Sequence, residues 1–357
     1  MIYVGIDYHK KYSQVEAMDK EGKTLARAKL LNDEQTLKRY FSSLPEPCEV
    51  VIEACRNWQL MYDILEEIDE VKKIHVANPL KVKAIAAAKI KTDTIDAHTL
   101  SHLLRANLIP CVYVPKKETR NIKDILRQRM FLVRMNTRIK NRIHALIEKY
   151  RISMPDVSDL FGKTGLSFLK KCNLPYPGNL LLKQDIEILE ALNALIKETE
   201  KEVLNLLNED ERYEIARTLP GLGAILAGVV ILEIDRIERF PNAKKLLSYA
   251  GLVPTTYASG GKCYHGHLIK QSNKWLRWAM VEASWAAQRV SPYFQSCYRR
   301  YLHKGSNTAI CVLARRLLEI LWSMLTYRRP YEERPIVKIH YSPSPSQKNR
   351  LKASCQV

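Results

Sequence analysis

Two strongly apolar segments near the N-terminus each carry an acidic residue at a position where a strand would be buried. Asp7 lies in the segment IYVGIDYH, and Glu53 lies in CEVVIEA. A carboxylate inside such a strand is costly to remove from water unless another group compensates its charge. The fold of this chain must therefore bring both acids to a place where a cation or a polar partner can reach them.

The first 110 residues alternate between strand patterns and helix patterns. Three strand segments end at Leu31, a helix follows from Asn32 or Asp33 to Leu44, and a buried strand contains Glu53. A second helix, a fifth strand and a helical region from Pro79 to Leu108 complete the pattern. This order, βββαβαβα, predicts an α/β RNase H-like (RuvC-like) domain, in which neighbouring strands bring Asp7 and Glu53 together.

Two further acids, Asp93 and Asp96, occur in the segment KTDTIDA. Their spacing of three places them on one face of a helix. Four clustered carboxylates repel one another unless they bind a hard cation through oxygen, and two such ions can activate phosphodiester chemistry. We therefore predict a site for Mg²⁺ or Mn²⁺ at Asp7, Glu53, Asp93 and Asp96. The alternative is that Asp7 lies on an edge strand and that the other two merely cap a helix.

The charge of the chain predicts a polyanionic partner. The sequence has 57 Lys and Arg against 38 Asp and Glu, a net charge of +19. Lys89 and Lys91 precede Asp93 without an intervening acid, so we expect them to draw phosphate towards the acidic site. No apolar run is long enough to cross a bilayer and no export signal precedes the first strand, so we expect a cytoplasmic protein without a membrane partner.

A long basic helix follows Pro115, because apolar residues from Ile122 to Leu146 recur at the a and d positions of heptads. Between residues 116 and 151 there are 12 Lys and Arg but only 3 Asp and Glu, whereas solvated helix faces usually balance their charges. We predict that this helix contacts nucleic acid. The predicted contact residues are Arg127, Arg134, Arg138, Lys140 and Arg142.

A second amphipathic helix, from Ile186 to Leu207, repeats the same spacing after a Gly- and Pro-containing segment, Leu160 to Leu182, that is typical of a hinge. The second helix can fold back on the first as a hairpin or pair with another protomer as a coiled coil. We predict a homo-oligomer, either a dimer or a tetramer, and keep the intramolecular hairpin as the alternative.

The C-terminal part contains the turn LPGLG between two helical patterns. Its glycines, Gly221 and Gly223, would let backbone amides approach a phosphate, as in a helix-hairpin-helix turn. An ordinary helical corner is an equal alternative. The pattern of the whole chain predicts four regions: the α/β domain at 1–115, long helices at 116–210, a mainly α-helical domain at 211–337 and a disordered tail at 338–357.

Ser259 precedes two glycines in the segment YASGGK. A nucleophilic serine needs a base to take its proton and cations to hold the phosphate, although a Ser-Gly-Gly segment is more often just a turn. Residues 262 to 304 include 8 Lys and Arg and 1 acid. The predicted nucleic-acid contacts here are Lys262, Lys270, Lys274 and Arg277. Neither His265 nor His267 is identifiable as the base.

Taken together and in this order, several motifs resemble the DEDD transposases of insertion sequences, a family that includes the pilin-gene invertases. The resemblance covers about residues 1 to 335. It rests on the motifs VGIDYHK, IEA, KTDTIDAHTL, LPGLG, YAGLVPTTYASGGK and NTAICVLARRLLEILW. The chain departs from the family pattern at Gln271, Ser272 and Asn273, where a lysine and a glycine are more usual.

The resemblance implies a RuvC-like domain whose Asp7, Glu53, Asp93 and Asp96 bind Mg²⁺, and a C-terminal transposase domain whose nucleophile is Ser259. It further implies a covalent phosphoserine, a site shared between protomers and a structured guide RNA from the element. We therefore predict a site-specific DNA recombinase that acts on element ends and target DNA. A junction-resolving nuclease that uses only the acidic site, and a non-catalytic nucleic-acid-binding protein, remain the alternatives.

Overall fold

The computed structural model describes residues 1–86, 92–259 and 262–335, without the side chains of 256–259, 262, 263 and 265. The chain divides into two compact units, the first from Met1 to Pro115 and the second from Lys116 onward. Lys89, Lys91 and the predicted tail at 338–357 lie outside the described residues. The predicted boundary near residue 210 falls inside the second unit.

The first unit is built on a five-stranded mixed sheet in the order β3-β2-β1-β4-β5. β1 is antiparallel to β2 and parallel to β4. The strands are β1 (Ile2–Tyr8), β2 (Tyr12–Met18), β3 (Thr24–Leu31), β4 (Cys48–Glu53) and β5 (Val71–Ala77), and the helices are α1 (Glu34–Ser42), α2 (Trp58–Glu66), α3 (Pro79–Ile85) and α4 (Asp93–Arg105). The order of the five strands and first two helices matches the sequence pattern.

The two central strands, β1 and β4, are apolar because they are covered on both faces. Val4, Ile6 and Ile52 form one cluster with side chains from α1 and α2, whereas Val51 belongs to a second cluster with residues of α4. β3 lies at the sheet edge and alternates between exposed and partly buried residues. Because most residues of β1 and β4 are buried, an acid within these segments stands out in the sequence.

Helix α4 lies directly on β1 because residue 5 is a glycine. A Cβ atom at Gly5 would come within 2.1 Å of the carbonyl oxygen of Ala97, so any side chain would push the helix off the strand. The single helical region expected from Pro79 to Leu108 is instead two helices. The second begins at a new cap, since the Thr92 hydroxyl accepts a hydrogen bond from the amide of Ile95.

The second unit is mainly helical. Its elements are α5 (Lys117–Lys149), α6 (Lys163–Lys171), α7 (Gly178–Leu207), α8 (Glu211–Arg217), α9 (Ala224–Ile234), α10 (Ala243–Ala250), β6 (Pro254–Ser259), β7 (Lys262–Leu268), α11 (Lys274–Val290), α12 (Pro292–Tyr301) and α13 (Ser306–Tyr327). Two features differ from the sequence expectation: a short helix, α6, lies within the segment interpreted as a hinge, and an antiparallel hairpin, β6–β7, follows α10.

Helices α5 and α7 pack against each other as an antiparallel hairpin. Three polar pairs show this direction, because residues further along α5 pair with residues earlier in α7. The pairs are Arg129 with Glu200, Asn136 with Asn193 and Arg142 with Asp185. The apolar stripes between these pairs are buried within the chain. Ile139, Ile143, Ile186 and Leu189 belong to one cluster. The structure thus shows the intramolecular hairpin that the heptad spacing allowed, and these stripes no longer argue for pairing between protomers.

Helix α9 is the centre of the C-terminal core. Its sequence, AILAGVVILEI, is apolar on all sides because α8, α11 and the α5–α7 hairpin surround it. Glu233 is the exception and is buried among polar partners. Within the described part of the chain, no helix combines the length and the apolar character needed to cross a membrane.

Candidate metal centre and nucleic-acid interface

The acidic cluster of the first unit forms where β1 ends. The Nε2 atom of His9, one residue beyond β1, lies 3.1 Å from Oδ2 of Asp7 and 3.1 Å from Oδ2 of Asp93 at the start of α4. One ligand atom from each of these three residues lies within 4.8 Å of the other two. Asp7 and Asp93, which are far apart in the sequence, therefore meet at one point, around a histidine that was not among the predicted site residues.

A hydrogen bond from Tyr12 orients Asp93. The hydroxyl of Tyr12, the first residue of β2, donates to Oδ2 of Asp93 at 3.1 Å. The Nζ atom of Lys29 lies 3.9 Å from the centre of the Tyr12 ring, which keeps a positive charge near this edge of the cluster. The carboxylate of Asp93 is thus held between His9 and Tyr12, and the strands β2 and β3 support its position.

The surroundings of Asp7 disfavour its ionised carboxylate. Burial raises the pKa of the Asp7 carboxyl, repulsion from Asp93 and Asp96 raises it further, and His9 opposes part of this effect. The side chain of Asp7 is only 20% exposed, whereas that of Asp93 is 46% exposed and open to a ligand. The two carboxylates fit a divalent cation, which binds carboxylate oxygens and whose charge would relieve this repulsion.

Glu53 and Asp96 lie near this cluster but are not among its three members. Glu53 is the last residue of β4, and because Ile52 pairs with Ile6, it ends its strand at the same sheet edge as Asp7. Asp96 lies in the first turn of α4 with Asp93 and raises the pKa of Asp7. The signal that could have identified His9 is its spacing of two from Asp7, which places both on one side of an extended chain.

A buried glutamate of β2 braces the helix that carries Asp93 and Asp96. The side chain of Glu16 is 1% exposed and accepts hydrogen bonds from Nε of Arg27 and from Nδ1 of His98, at 2.9 and 2.6 Å. Burial alone would raise the pKa of Glu16, but these bonds, with one from Thr24, outweigh it and hold the pKa below its ordinary value. Because His98 follows Asp96 by two residues, this contact fixes the start of α4 against the sheet.

The basic residues of α5 predicted to contact nucleic acid also have partners within the chain. Arg127 forms an ion pair with Glu233 at 3.3 Å, and Arg142 forms one with Asp185 at 3.2 Å. The guanidinium of Arg134 stacks over the ring of Trp275, and Lys140 lies over the ring of Phe161. Part of the positive charge of this helix therefore serves packing in the second unit. The structure describes no contact of this kind for Arg138.

The two glycines of the LPGLG turn have different surroundings. Gly221 has a φ of +89°, and a Cβ atom there would come within 2.1 Å of the carbonyl oxygen of Ala283 on α11. Gly223 caps the N-terminus of α9, and an added Cβ atom would meet nothing within 4 Å. Close packing thus requires a glycine at 221, while only the backbone of Gly223 is open to a ligand.

The base of the hairpin β6–β7 is held by Arg277. Its guanidinium donates to the carbonyl oxygens of Ala250 and Ile269 and to the hydroxyl of Ser272. These bonds tie the end of α10 to the end of β7, so Arg277 has a structural role besides its predicted contact with nucleic acid. Lys270 and Lys274 are exposed. Ser259 is the last residue of β6, and its side chain and that of Lys262 lie outside the described part.

The segment that departs from the family pattern has a role in the local structure. The Asn273 side chain caps α11 by accepting from the amide of Leu276, and it donates to Glu233 at 2.8 Å. Glu233 also pairs with Lys123 at 3.2 Å, and both of these side chains are buried. Ser272 and Asn273 therefore hold the backbone that follows β7, where the pattern usually has a lysine and a glycine.

Comparison with known families assigns two stretches of the chain to transposases. Residues 4–152 match the model of the DEDD transposases of the IS110 type, described as a transposase. Residues 213–299 match the model described as the transposase IS116/IS110/IS902 family. The first stretch contains the acidic cluster, and the second contains the LPGLG turn and the hairpin β6–β7.

Individual proteins match over nearly the whole chain. A probable family 20 transposase of Pseudomonas aeruginosa is 24% identical over 92% of this chain and 98% of its own length. The transposase for insertion sequence element IS1328 of Yersinia enterocolitica is 24% identical over 90% of this chain and 96% of its own length. The transposase for insertion sequence element IS1111A of Coxiella burnetii is 24% identical over 92% and 90%.

Proposed function

The chain belongs to the IS110 family of DEDD transposases, and we propose that it cuts and rejoins DNA with Ser259 as nucleophile and with the help of Mg²⁺ or Mn²⁺ bound at an acidic cluster. The observation that carries this proposal is the meeting of Asp7 and Asp93 at the Nε2 atom of His9. A non-catalytic protein that only bound DNA would gain nothing from a destabilising cluster of acids that also repels phosphate.

Asp7 and Asp93 would hold the cation through their carboxylate oxygens, with Glu53 and Asp96 supplying further oxygens as in the DEDD pattern. A divalent cation there would offset the charge of the scissile phosphodiester and polarise its oxygens. His9 contributes by fixing the positions of both carboxylates, and Tyr12 contributes by donating to Asp93. The brace between Glu16 and His98 keeps the start of α4, and therefore Asp93 and Asp96, at the sheet edge.

In the proposed reaction, Oγ of Ser259 bonds to the phosphorus of the scissile phosphodiester and a sugar oxygen leaves with a proton. The phosphoserine keeps the free energy of the broken bond, and the hydroxyl of another strand displaces Ser259 to rejoin the DNA. No nucleotide cofactor is consumed. The support for Ser259 is the family motif YAGLVPTTYASGGK together with the exposed Lys270 and Lys274 that follow it.

The partners proposed from the family are DNA at the element ends and target, a structured guide RNA, and further copies of this chain whose Ser259 meets the acidic cluster of a neighbour. The positive charge of the chain supports a nucleic-acid partner. Light scattering of the protein, alone and with nucleic acid, tests the oligomer: a strict monomer under both conditions would contradict it.

The deciding experiment traps the protein on DNA that carries the element ends and looks for an adduct that survives denaturant. The wild type should give an adduct that maps to Ser259, whereas Ser259→Ala should give neither adduct nor strand exchange. Ser296→Ala, which removes a hydroxyl from α12, serves as the matched control and should react normally. If Ser259→Ala still cleaves DNA in the presence of Mg²⁺, the metal-dependent nuclease is the better description.

A further inference from the structure

An arginine-rich cleft lies between α12 and α13, outside every site discussed so far. Its volume is about 450 Å³. On α12, the lining residues Tyr293, Cys297 and Arg300 are three, four or seven positions apart and so share one helical face. The same holds on α13 for Val312, Arg316 and Glu319. The lining residues used below are Tyr293, Cys297, Arg300, Arg315, Arg316 and Glu319.

Two of the three arginines of the cleft, Arg315 and Arg316, are held in place by one acid and one phenol. Nε of Arg315 and Nη1 of Arg316 donate to the two carboxylate oxygens of Glu319 at 3.2 and 3.3 Å. Nε of Arg316 also donates to the hydroxyl of Tyr293 at 3.1 Å. Because an arginine has five N–H donors, these bonds fix the side chains and leave other donors for a ligand.

The charge of the cleft favours an anion. Three arginines face a single glutamate, and the wall between them is partly apolar, with Cys297 and Val312 among its residues. The Tyr293 oxygen accepts from Arg316, so its own O–H is available to donate. Guanidinium forks and a phenolic donor match the oxygens of a phosphate, which they can bind in a bidentate manner.

We propose that this cleft binds the phosphodiester backbone of nucleic acid, with Arg300, Arg315 and Arg316 as the phosphate contacts. This inference rests on the proposed function only in taking nucleic acid as the partner, and it does not depend on the metal site or on Ser259. It also assigns a role to the motif NTAICVLARRLLEILW, which supplies Arg315 and Arg316 but no catalytic residue. The backbone can belong to DNA or to RNA, because both present the same phosphodiester.

Binding measurements on the full-length chain test the proposal, with a fluorescein-labelled DNA duplex and a labelled single-stranded RNA as probes. The cleft variant Arg300→Gln/Arg315→Gln removes two positive charges from the cleft. The control Arg289→Gln/Arg299→Gln removes two positive charges outside it. Arg299 neighbours Arg300 on α12, and Arg289 lies on α11; both are exposed and neither lines the cleft. The comparison therefore separates a defined contact from general attraction between opposite charges.

The cleft variant should bind the probe at least about tenfold more weakly than the control. The slope of log affinity against log salt concentration should be smaller in magnitude by roughly one to two units. A loss with DNA alone assigns the cleft to DNA, a loss with RNA alone assigns it to RNA, and a loss with both assigns the shared backbone. Equal affinities of the two variants for both probes would overturn the proposal. Because no cleavage is measured, inactive Asp7→Asn protein gives the same answer, so failure of the proposed chemistry would not be mistaken for failure of the cleft.

A second measurement uses the wild-type side chains and so does not depend on the variants folding. Cys297 lines the cleft and is a free thiol. Cys172, at the end of α6, is also a free thiol but does not line the cleft, so it serves as the control. Bound nucleic acid should slow the alkylation of Cys297 by iodoacetamide several-fold and leave the alkylation rate of Cys172 unchanged. An unchanged rate at Cys297 under saturating probe would contradict the proposal.

Discussion

Nδ1 of His98 on α4 lies 2.6 Å from Oε1 of Glu16 on β2, and this contact joins the helix of Asp93 and Asp96 to the sheet that carries Asp7. Glu16 is among the buried charged side chains of the first unit, and its charge is compensated by Arg27 and by hydrogen bonds. The position of the acidic cluster therefore depends on Glu16, which would not itself touch a cation or DNA.

We predict that Glu16→Gln reduces both stability and activity. An amide replaces one acceptor oxygen by a donor that faces His98 or Arg27, so the variant should lose about 1–3 kcal/mol of the free energy of unfolding. Chemical denaturation measures this loss, and strand-exchange assays measure activity at temperatures where the variant is fully folded. Arg27→Gln, which removes an exposed partner of the same carboxylate, is the control and should lose less activity, because it leaves the His98 contact intact.

The same residue predicts how stability depends on pH. The pKa of Glu16 is lower in the folded state than its ordinary value of 4.5, so its contribution is present above that value. That contribution should be lost as the pH falls through the lower pKa of the folded protein. The free energy of unfolding of the wild type should therefore decrease more steeply below pH 4.5 than that of Glu16→Gln; parallel curves would contradict this role.

We predict that Asp7→Asn abolishes activity without lowering stability in metal-free buffer. The raised pKa of Asp7 means that its ionised form destabilises the fold, an effect that appears as the pH rises from the ordinary value of 3.8 through the higher folded value. Asparagine removes that charge. Mg²⁺ should then stabilise the wild type by about 2.7 kcal/mol at a concentration of 100 times its Kd, and Asp7→Asn much less. Thermal unfolding with and without Mg²⁺ measures both effects, and equal Mg²⁺ stabilisation of the two proteins would contradict the site.

The two glycines of the LPGLG turn should respond differently to alanine. Gly221→Ala should lose about 1–3 kcal/mol of stability or more, because its φ is positive and its Cβ would collide with the backbone of α11. Gly223→Ala should leave the melting temperature nearly unchanged, because the space around it is open. If the amides of this turn bind phosphate, Gly223→Ala should weaken DNA binding in fluorescence anisotropy; normal binding would leave an ordinary helical corner.

A final comparison separates structural from binding cations beside the hairpin β6–β7. Arg277→Gln should lower the melting temperature, because it removes the donors to Ala250, Ile269 and Ser272. Lys274→Gln should leave the melting temperature unchanged but reduce the salt dependence of DNA binding by about one unit. Both variants remove one positive charge, so equal effects on binding with no difference in melting temperature would refute the distinction.

The sequence was sufficient for features that depend on local patterns. Apolar alternation predicted the five strands of the first unit, and the cost of burying Asp7 predicted that it would have polar partners. Heptad spacing predicted the long helices α5 and α7 but could not choose between folding back and pairing with another protomer. That choice depends on the length of the connection and on α6, whose residues carry no strong helical pattern next to Gly162 and Gly165.

Contacts between distant side chains were not predictable from the sequence. In the sequence, His9 is only one residue of a motif, whereas in the fold α4 brings Asp93 beside it. In the sequence, Arg277 resembles a free cation, whereas in the fold it donates to three acceptors. The strands β6 and β7 were missed because they contain a glycine and several polar residues and lack a long apolar pattern. They pair with each other as a hairpin. Charge counts therefore could not show which basic residues also have partners within the chain.

The α5–α7 hairpin also bears on how the second unit unfolds. Leu126 and Met130 of α5 belong to the large C-terminal cluster, whereas Ile139 and Ile143 belong to a separate small cluster with α6. One continuous helix thus connects two cores of very different size, so heat or denaturant should release the smaller core first. In hydrogen exchange, protection along α5 should then fall from its N-terminal half to its C-terminal half, with Asn136 near the step. The C-terminal half of α5 would then unfold while the large C-terminal core stays intact.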